Sequence, residues 1–474
     1  MADDDQQARL TRRSFVTAAG TITTAAIAAP QATASALRHT FADAGVAARP
    51  QLGSGGEPTR DQVLARLARE HGRGEPLMFV DLAAVDQNAK VVVEFAKAHH
   101  WAVRPALKVF QSPKLCAYIM GLLPEPRGLV FHLRTVDQIM SAAPAGTDLM
   151  MGYPPTPGEL RAYLGSAPPT GQRRHTLTLM ASSMNILKEM ARLAGTTSRR
   201  VPLNVCLEFD SGEGRGGFHR PADISAAIKL LRRERRVLRL RGVLCYDGHA
   251  TVTAAEAWRQ AVAKQASGYY ARYLEQLHAE GSDLYNHATL FRNGPGSSNY
   301  RNWAGKPEIN EISPGSAFVY AGYLRAGFDT EGLAPALAQA APVLKDVGPY
   351  PKQLITLQPL PPITGEEYFL KGSTWPDQGG IQPAFVYPPG VQDDAPEGGR
   401  AMVVAPPGEL TTEDYVLCWP NQGGDGIDYF GAVHAVRNGR VVDVWPTFTR
   451  WSSPPASQPR PMTGAIPRPP VGLG

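Results

Sequence analysis

Residues 102–113 of this 474-residue chain read AVRPALKVFQSP, an apolar, strand-like run that ends at a lysine, Lys108. Apolar residues flank Lys108 on both sides, so the sequence predicts a partly dry pocket around it. A lysine amine in such a setting can react as a nucleophile towards a carbonyl group. The segment therefore marks a candidate reactive site at the end of a strand.

Short apolar strands alternate with amphipathic helical segments on both sides of Lys108, which is typical of a parallel sheet with crossover helices. Helices are predicted at 84–98, 222–233 and 254–280. Eight such repeats in roughly 220 residues predict an α/β fold, a TIM-type (β/α)8 barrel with Lys108 after its second strand. The predicted strands are 77–82, 102–107, 128–133, 148–153, 176–181, 202–209, 241–246 and 288–292.

Beyond residue 312 the sequence changes to Pro, Gly and β-prone runs, which predict a C-terminal, mostly-β domain. Asn438-Gly439 between two strand-like runs is a strong hairpin signal. Strands are predicted at 352–358, 401–405, 415–419 and 440–445. The predicted organisation is a signal peptide at 1–36, an extension at 37–76, the barrel at 77–312, the β domain at 313–451 and a disordered tail at 452–474.

The N-terminus carries Arg12-Arg13, followed by a weakly apolar run at 17–29 and a small-residue run at 32–36. This is the layout of a twin-arginine export signal with an A-x-A-like cleavage site. We expect a periplasmic or extracellular protein, or a cytoplasmic one if the signal is not used. The apolar run is too short to cross a bilayer, so no membrane span is expected after signal removal. An accidental arginine pair is the alternative.

The composition, with 43% hydrophobic and 19% charged residues, is that of a soluble globular protein. The net charge of +5 and a basic run at 232–241 without interleaved aromatic residues do not predict nucleic-acid binding. The four cysteines form no C-x-x-C pair, so no zinc site is predicted. Cys206 and Cys245 lie in apolar runs, where buried free thiols are expected; a disulfide is the alternative.

Polar residues follow several predicted strands, and the active site of a barrel lies at these C-terminal strand ends. The last strand leads into Gly294-Pro295-Gly296-Ser297-Ser298, a loop type that cradles phosphate with backbone N–H groups. An ordinary Gly-rich turn is the alternative. A lysine amine and a phosphate cradle together predict pyridoxal phosphate (PLP) as the cofactor. Other polar strand ends carry His132, Arg134, Glu208, Asp210, Arg215, Tyr246, Asp247 and His249.

Residues 212–217, GEGRGG, also fit the dinucleotide-binding pattern G-x-G-x-x-G. That interpretation is rejected because the motif follows the sixth predicted strand instead of the first, and because Arg215 stands inside it. In addition, no acidic residue ends a strand about 20 positions later.

The lysine segment at 104–113 resembles that of the family containing D-threonine aldolase and eukaryotic-type D-serine dehydratase, fold-type III PLP enzymes related to alanine racemase. Further matches occur in the family's order and extend the resemblance over residues 77–446. They are Glu208-x-Asp210-x-Gly212-x-x-Arg215-x-Gly217, Tyr246-x-Gly248-His249, Glu311-Ile312-x-Pro314-Gly315 and NGRVVDVWP at 438–446.

This resemblance implies a barrel, a β domain, a homodimer, a small amino-acid substrate and a covalent link from Lys108 to PLP. Arg215 would face the pyridine nitrogen, where a permanent cation weakens the cofactor as an electron sink. His249 would approach the substrate as a base; a structural histidine is the alternative. The phosphate would be held by Tyr246 and the loop residues Gly294, Gly296, Ser297 and Ser298.

The sequence departs from the family at the metal motif. Family members carry Pro-Asn-His-x-Cys or Pro-Asn-His-x-Asp, which binds a divalent metal near the substrate β-hydroxyl. Here residues 420–424 read PNQGG, so both ligand positions are lost and no metal ligand is predicted. A divalent metal is therefore doubtful; a site rebuilt from Asp425, Asp428 and His434 is the alternative.

The lysine segment also has Ala106, Phe110 and Gln111 where the family usually shows His, His and Lys, which predicts a more apolar substrate end. We therefore expect a PLP-dependent lyase of the aldolase or dehydratase type, acting on small D-β-hydroxy amino acids with an altered or absent metal site. A PLP-dependent amino-acid racemase and a non-catalytic PLP-binding homologue are the alternatives.

Overall fold

The computed structural model describes residues 58–165, 177–196, 202–253, 255–325, 327–348, 365–371, 384–393, 402–421, 427 and 430–448. The helices are α1 (Arg60–Gly72), α2 (Leu82–Ala98), α3 (Pro113–Gly121), α4 (Leu133–Ala142), α5 (Pro157–Gly165), α6 (Met184–Gly195), α7 (Pro221–Arg233), α8 (Glu256–Gly281) and α9 (Ser316–Val319). The strands are β1 (Leu77–Asp81), β2 (Ala102–Val103), β3 (Arg127–Val130), β4 (Asp148–Met151), β5 (Leu177–Ala181), β6 (Leu203–Glu208), β7 (Leu238–Leu244), β8 (Phe291–Asn293), β9 (Glu311–Ile312), β10 (Leu337–Gly348), β11 (Glu366–Leu370), β12 (Ala384–Tyr387), β13 (Gln392–Asp393), β14 (Met402–Ala405), β15 (Tyr415–Trp419), β16 (Ala432–Arg437) and β17 (Arg440–Pro446).

Eight parallel strands form a barrel in the hydrogen-bonded order β2-β9-β8-β7-β6-β5-β4-β3. Its strands are short apolar runs, and β5 is buried along its whole length. Helices with one apolar face cover the barrel and share its core. An isolated bridge between Ala106 and Leu129 spans the remaining gap between β2 and β3, where the N–H of Leu129 donates to the carbonyl of Pro105 at 2.8 Å. The predicted (β/α)8 barrel is confirmed.

A second, mostly antiparallel sheet has the order β13-β14-β11-β10-β1-β16-β17, with β15 beside β10 and β12 beside β15. Helix α1 covers part of this sheet with Leu64 and Leu67. The predicted hairpin is confirmed: β16 and β17 are joined by Asn438 and Gly439, both with positive φ (51° and 69°), as a type I′ turn requires. The predicted β domain is therefore present.

The predicted number of barrel strands, eight, is confirmed, but the segments assigned to the first and last of them were wrong. β1, predicted as the first barrel strand, pairs with β10 and β16 in the second sheet. Lys108 therefore follows the first barrel strand, β2, and not the second. The predicted eighth strand is the seventh, β8, and the two-residue β9 completes the barrel. The apolar run of β1 fits a buried strand in either sheet, so its sequence could not decide between them.

Some predictions concern residues outside the described ranges: the signal at 1–36, the strand at 352–358 and the tail at 452–474. All four cysteines are buried and free, as expected for Cys206 and Cys245. Among the described helices, none is long and apolar enough to cross a membrane.

A buried ion network joins the strands that close the barrel. The guanidinium of Arg104, the residue directly after β2, binds both carboxylate oxygens of Glu311 on β9, at 2.7 and 3.0 Å. Arg104 also binds Asp148 on β4, and Arg127 on β3 binds Glu311 at 2.7 Å. Burial alone would raise the pKa of Glu311, but the two arginines hold it below its ordinary value. Asn293 adds a hydrogen bond to the same carboxylate at 2.8 Å.

We predict that Glu311→Ala lowers the free energy of unfolding by about 3–5 kcal/mol, because it leaves Arg104 buried without its main counter-ion. Glu125→Ala is the matched control. Glu125 also contacts Arg127, but its side chain is 71% exposed, so its loss should cost less than about 1 kcal/mol. Urea denaturation of both variants measures the difference, and equal losses would contradict the central role given to Glu311.

Candidate active site

The carboxyl ends of six barrel strands bring chemically useful side chains onto one face of the barrel. Neighbouring strands in a parallel barrel end at the same rim, so residues that directly follow them meet there. The residues are Lys108 after β2, Phe131 after β3, Tyr153 after β4, Arg215 after β6, Tyr246 after β7 and Gly296 after β8.

Lys108 lies in a single 3-10 turn, Leu107–Val109, directly beyond β2. The side-chain amide of Gln111 donates to its carbonyl at 2.8 Å and fixes the turn. The prediction that Lys108 lies in a partly dry pocket was wrong, because its side chain is exposed. Leu107 and Val109 point into the core and not around the amine. The Nζ atom lies 4.8 Å from the centre of the Phe131 ring, a cation–π contact.

Aromatic rings connect Lys108 to Arg215. The Phe131 and Tyr153 rings meet edge to face at 5.0 Å. The Arg215 guanidinium donates to the Tyr153 hydroxyl at 3.3 Å and lies 5.3 Å from the centre of the Tyr246 ring. The predicted strands include Phe131 and Tyr153, whereas β3 ends at Val130, directly before Phe131, and β4 ends at Met151, two residues before Tyr153. Aromatic residues at the ends of predicted strands were the signal that could have revealed them.

The loop at 294–298 has the properties of an anion cradle. The backbone N–H groups of Gly296, Ser297 and Ser298 donate to no residue that the structure describes. Gly296 lies against Tyr246, since a Cβ added there would come within 3.1 Å of the ring. Gly294 differs: its N–H donates to the carbonyl of Glu311, and it packs closely against Ile309. Three of the four predicted loop residues therefore have backbone N–H groups without a described acceptor. The fourth, Gly294, is needed for close packing against Ile309.

Ser297 ties this loop to the lysine segment. Its Oγ accepts the N–H groups of Gly315 at 2.9 Å and Ala317 at 3.0 Å, which leaves the hydroxyl proton available to donate. Gly315 in turn lies against the turn before Lys108, where an added Cβ would be 2.9 Å from the carbonyl oxygen of Ala106. The lysine turn and the loop are thus connected through one intervening segment.

His249 occupies the 3-10 turn Gly248–Val252 that follows β7. Both ring nitrogens are buried and have no hydrogen-bond partner among the described residues. Glu213 Oε2 is also buried without a described partner, and this carboxylate packs against Gly248. Buried polar atoms normally have partners. This corner of the site therefore has polar groups available for a bound molecule.

Two carboxylates, Glu213 and Glu208, act on the charge of Arg215, and one of them titrates near neutrality. Burial raises the pKa of Glu208 to about 7; Arg215 opposes the rise, and Asp210 and Glu213 add to it. Arg215 lies 3.7 Å from Glu213 Oε1, and its side chain is 40% exposed. Glu208 is therefore largely neutral below pH 7, while Arg215 keeps its charge.

We predict that Glu208 makes stability fall as pH rises from about 4 to about 7. In this window the native state, with a Glu208 pKa of about 7, binds more protons than the unfolded chain, with a pKa of about 4.3. Glu208→Gln should flatten that part of the profile, whereas the exposed Glu94→Gln should keep it. Urea denaturation at several pH values tests this, and identical profiles for the two variants would rule out the Glu208 titration.

The predicted alternative metal site of Asp425, Asp428 and His434 falls largely outside the described residues, since Asp425 and Asp428 are among those not described. His434 lies on β16, where its ring contacts Phe79 at 5.7 Å and burial lowers its pKa. Within the described ranges, no group of three or more His, Cys, Asp or Glu side chains could hold a metal ion. The doubt about a metal remains a prediction from the sequence.

The barrel, with a lysine and an anion cradle at its C-terminal face, defines a class of cofactor-dependent barrel enzymes. The model of the alanine racemase N-terminal domain matches residues 80–322, just over half of the chain, and the chain belongs to this family. The family implies PLP as the cofactor. No curated protein sequence matches the chain.

Solved structures share the fold at low identity. D-threonine aldolase from Filomicrobium marinum is 17% identical, with a TM-score of 0.61, over 78% of this chain and 94% of that chain. D-threo-3-hydroxyaspartate dehydratase from Delftia sp. HT23 is 17% identical, with a TM-score of 0.62, over 79% and 98%. Alanine racemase from Bacillus anthracis is 15% identical, with a TM-score of 0.57, over 78% and 97%.

Proposed function

We propose that this protein is a PLP-dependent lyase of the aldolase or dehydratase type that acts on small D-β-hydroxy amino acids, with an altered or absent metal site. The proposal depends on one observation. An exposed lysine amine and three backbone N–H groups without a described partner lie on the same face of the barrel. The solved D-threonine aldolase and hydroxyaspartate dehydratase, which share the fold, support the choice of substrate class.

The described residues fit PLP. Lys108 would hold it covalently, the N–H groups of the 294–298 loop with Tyr246 would hold its phosphate, and Arg215 would lie at the ring nitrogen. When bound, PLP supplies an electron sink for bonds at the substrate α-carbon. Arg215 would keep the ring nitrogen unprotonated, because a guanidinium does not give up its proton. His249, whose ring nitrogens lack partners among the described residues, would accept a proton from the substrate.

An amino-acid racemase is the second candidate. Gln422 and Gly424 stand where the resembled family has its metal ligands. Proton removal at the α-carbon needs no metal on this scaffold, whereas the lyases of that family use one near the β-hydroxyl. The non-catalytic PLP-binding homologue is the remaining outcome of the tests below.

We predict that Lys108→Ala abolishes covalent attachment of PLP, because within the described ranges no other lysine amine is seen beside the Phe131 ring. After PLP loading and borohydride reduction, mass spectrometry should find the cofactor on the wild type and on Lys114→Ala, but not on Lys108→Ala. Lys114 is a suitable control because it is an exposed lysine of the same segment, paired with Asp443. Attachment that persists in Lys108→Ala, or fails in the wild type, would refute the proposal.

The products formed from test substrates identify the type of reaction. The PLP-loaded protein is mixed with D-threonine, D-serine and both alanine enantiomers, with and without Mn²⁺ or Zn²⁺. Release of aldehyde, or of keto acid with ammonia, supports the lyase, and inversion alone supports the racemase. If PLP is bound but no substrate changes, the protein is a non-catalytic binder.

We also propose export through the twin-arginine route and assembly as a homodimer, both from the sequence. Export rests on Arg12-Arg13 and the weakly apolar run behind them. The homodimer rests on the resemblance to the aldolase and dehydratase family.

Replacement of both Arg12 and Arg13 by lysine should retain the protein in the cytoplasm, because the twin-arginine signal is recognised through this pair. The nearby Arg9→Lys should not change export. Fractionation of expressing bacteria measures the exported share. A protein that stays in the cytoplasm without any substitution would mean that the arginine pair is accidental.

A further inference from the structure

A cavity lies at the opposite end of the barrel from Lys108. It has a volume of about 390 Å³ and opens among the first residues of several barrel strands. Ala102 begins β2, Arg127 begins β3, Asp148 begins β4 and Phe291 begins β8. The volume is that of a small-molecule site. The whole lining is His100, Ala102, Arg127, Asp148, Arg241, Ala288, Thr289, Leu290, Phe291 and Asn310.

Most charges near this cavity are already paired. Arg127 contacts both Glu125 and Glu311, and Asp148 contacts Arg104 at 3.0 Å. The buried network of two arginines with Glu311 and Asp148 is therefore balanced without a further cation. The cavity needs no additional positive charge for the stability of the barrel.

Arg241 on β7 is a further cation of the cavity lining, and it is not part of this ion network. Its Nε atom is buried and has no hydrogen-bond partner among the described residues, and it forms no ion pair with any of them. A buried guanidinium donor without an acceptor is unfavourable. The next residue, Gly242, packs directly against the Phe291 ring of the cavity wall, where an added Cβ would come within 2.0 Å.

The other walls define the kind of molecule that would complete the site. Ala102, Leu290 and Phe291 supply an apolar surface, and exposed His100 adds a second nitrogen donor at the rim. We propose that this cavity binds the carboxylate or phosphate group of a small metabolite, with Arg241 as the main anion ligand and the ligand's apolar body against Phe291. An arginine fork suits both oxyanions.

This site is distinct from the phosphate cradle of the proposed PLP site. Both lie along β8, but Phe291 begins the strand, whereas the 294–298 loop follows its end. The proposal does not rest on the proposed function, because it uses no residue of the Lys108 face.

The experiment is a calorimetric titration of the full chain, saturated with PLP so that the cradle is filled, with inorganic phosphate and separately with benzoate. We expect saturable binding of at least one probe, which also separates phosphate from carboxylate as the preferred source of the oxyanion. Arg241→Gln should weaken that binding by about tenfold or more, because a charge-assisted hydrogen bond is lost. Arg241→Lys should retain part of it.

Arg239→Gln is the matched control, since Arg239 is an exposed arginine on the same strand and does not line the cavity. It should leave the affinity within about twofold of wild type, because only screened surface charge is lost. Circular dichroism verifies that each variant folds. Absence of binding for both probes, or an affinity that survives Arg241→Gln, overturns the proposal. The comparison of wild type with Arg241→Gln is repeated without PLP. Phosphate bound at the 294–298 loop would not depend on Arg241, so this arm keeps the outcome separate from any failure of the proposed function.

Discussion

The pairing of Arg104 with Glu311 is the interaction on which the barrel depends. β2 and β9 are the first and last barrel strands, and each is only two residues long. Their ladder joins Ala102 to Glu311 and Val103 to Ile312, so few backbone hydrogen bonds hold this junction. The fully buried ion pair directly beside it adds a two-pronged contact, which requires one register of the two strands.

The same carboxylate also sets the relative positions of the two halves of the candidate site. Arg104 stands four residues before Lys108, and Glu311 stands four residues before Gly315, which lies against Ala106. Asn293 binds Glu311 and leads directly into the 294–298 loop. A shift at the junction would therefore move the amine and the anion cradle apart. These buried charges thus fix how the strands are positioned relative to each other more than they add to the net free energy of folding.

Much of the fold was predictable, because β/α alternation and the Asn438-Gly439 turn are local signals. The identity of the first barrel strand was not, since β1 and a barrel strand present the same apolar run. β9 was missed as a strand because two residues show no periodicity, although residues 311–312 belonged to a recognised motif. In the site, the sequence placed Lys108, Arg215 and Tyr246 on one face. It could not show that Phe131 and Tyr153 connect them, because contacts between strands are not local.

The exposed Lys108 shows how a flanking apolar sequence can mislead. Leu107 and Val109 are apolar because they fill the core, so they say nothing about the surroundings of the residue between them. The environment of the amine is set by Phe131, which belongs to the next strand. Arg215 likewise contacts side chains distant in sequence, the rings of Tyr153 and Tyr246, in addition to the nearby Glu213. Since Glu208 is largely neutral below pH 7, the guanidinium charge remains only partly compensated. A positive charge beside aromatic rings can then act on a bound molecule, which is what the role proposed for Arg215 at the PLP ring nitrogen requires.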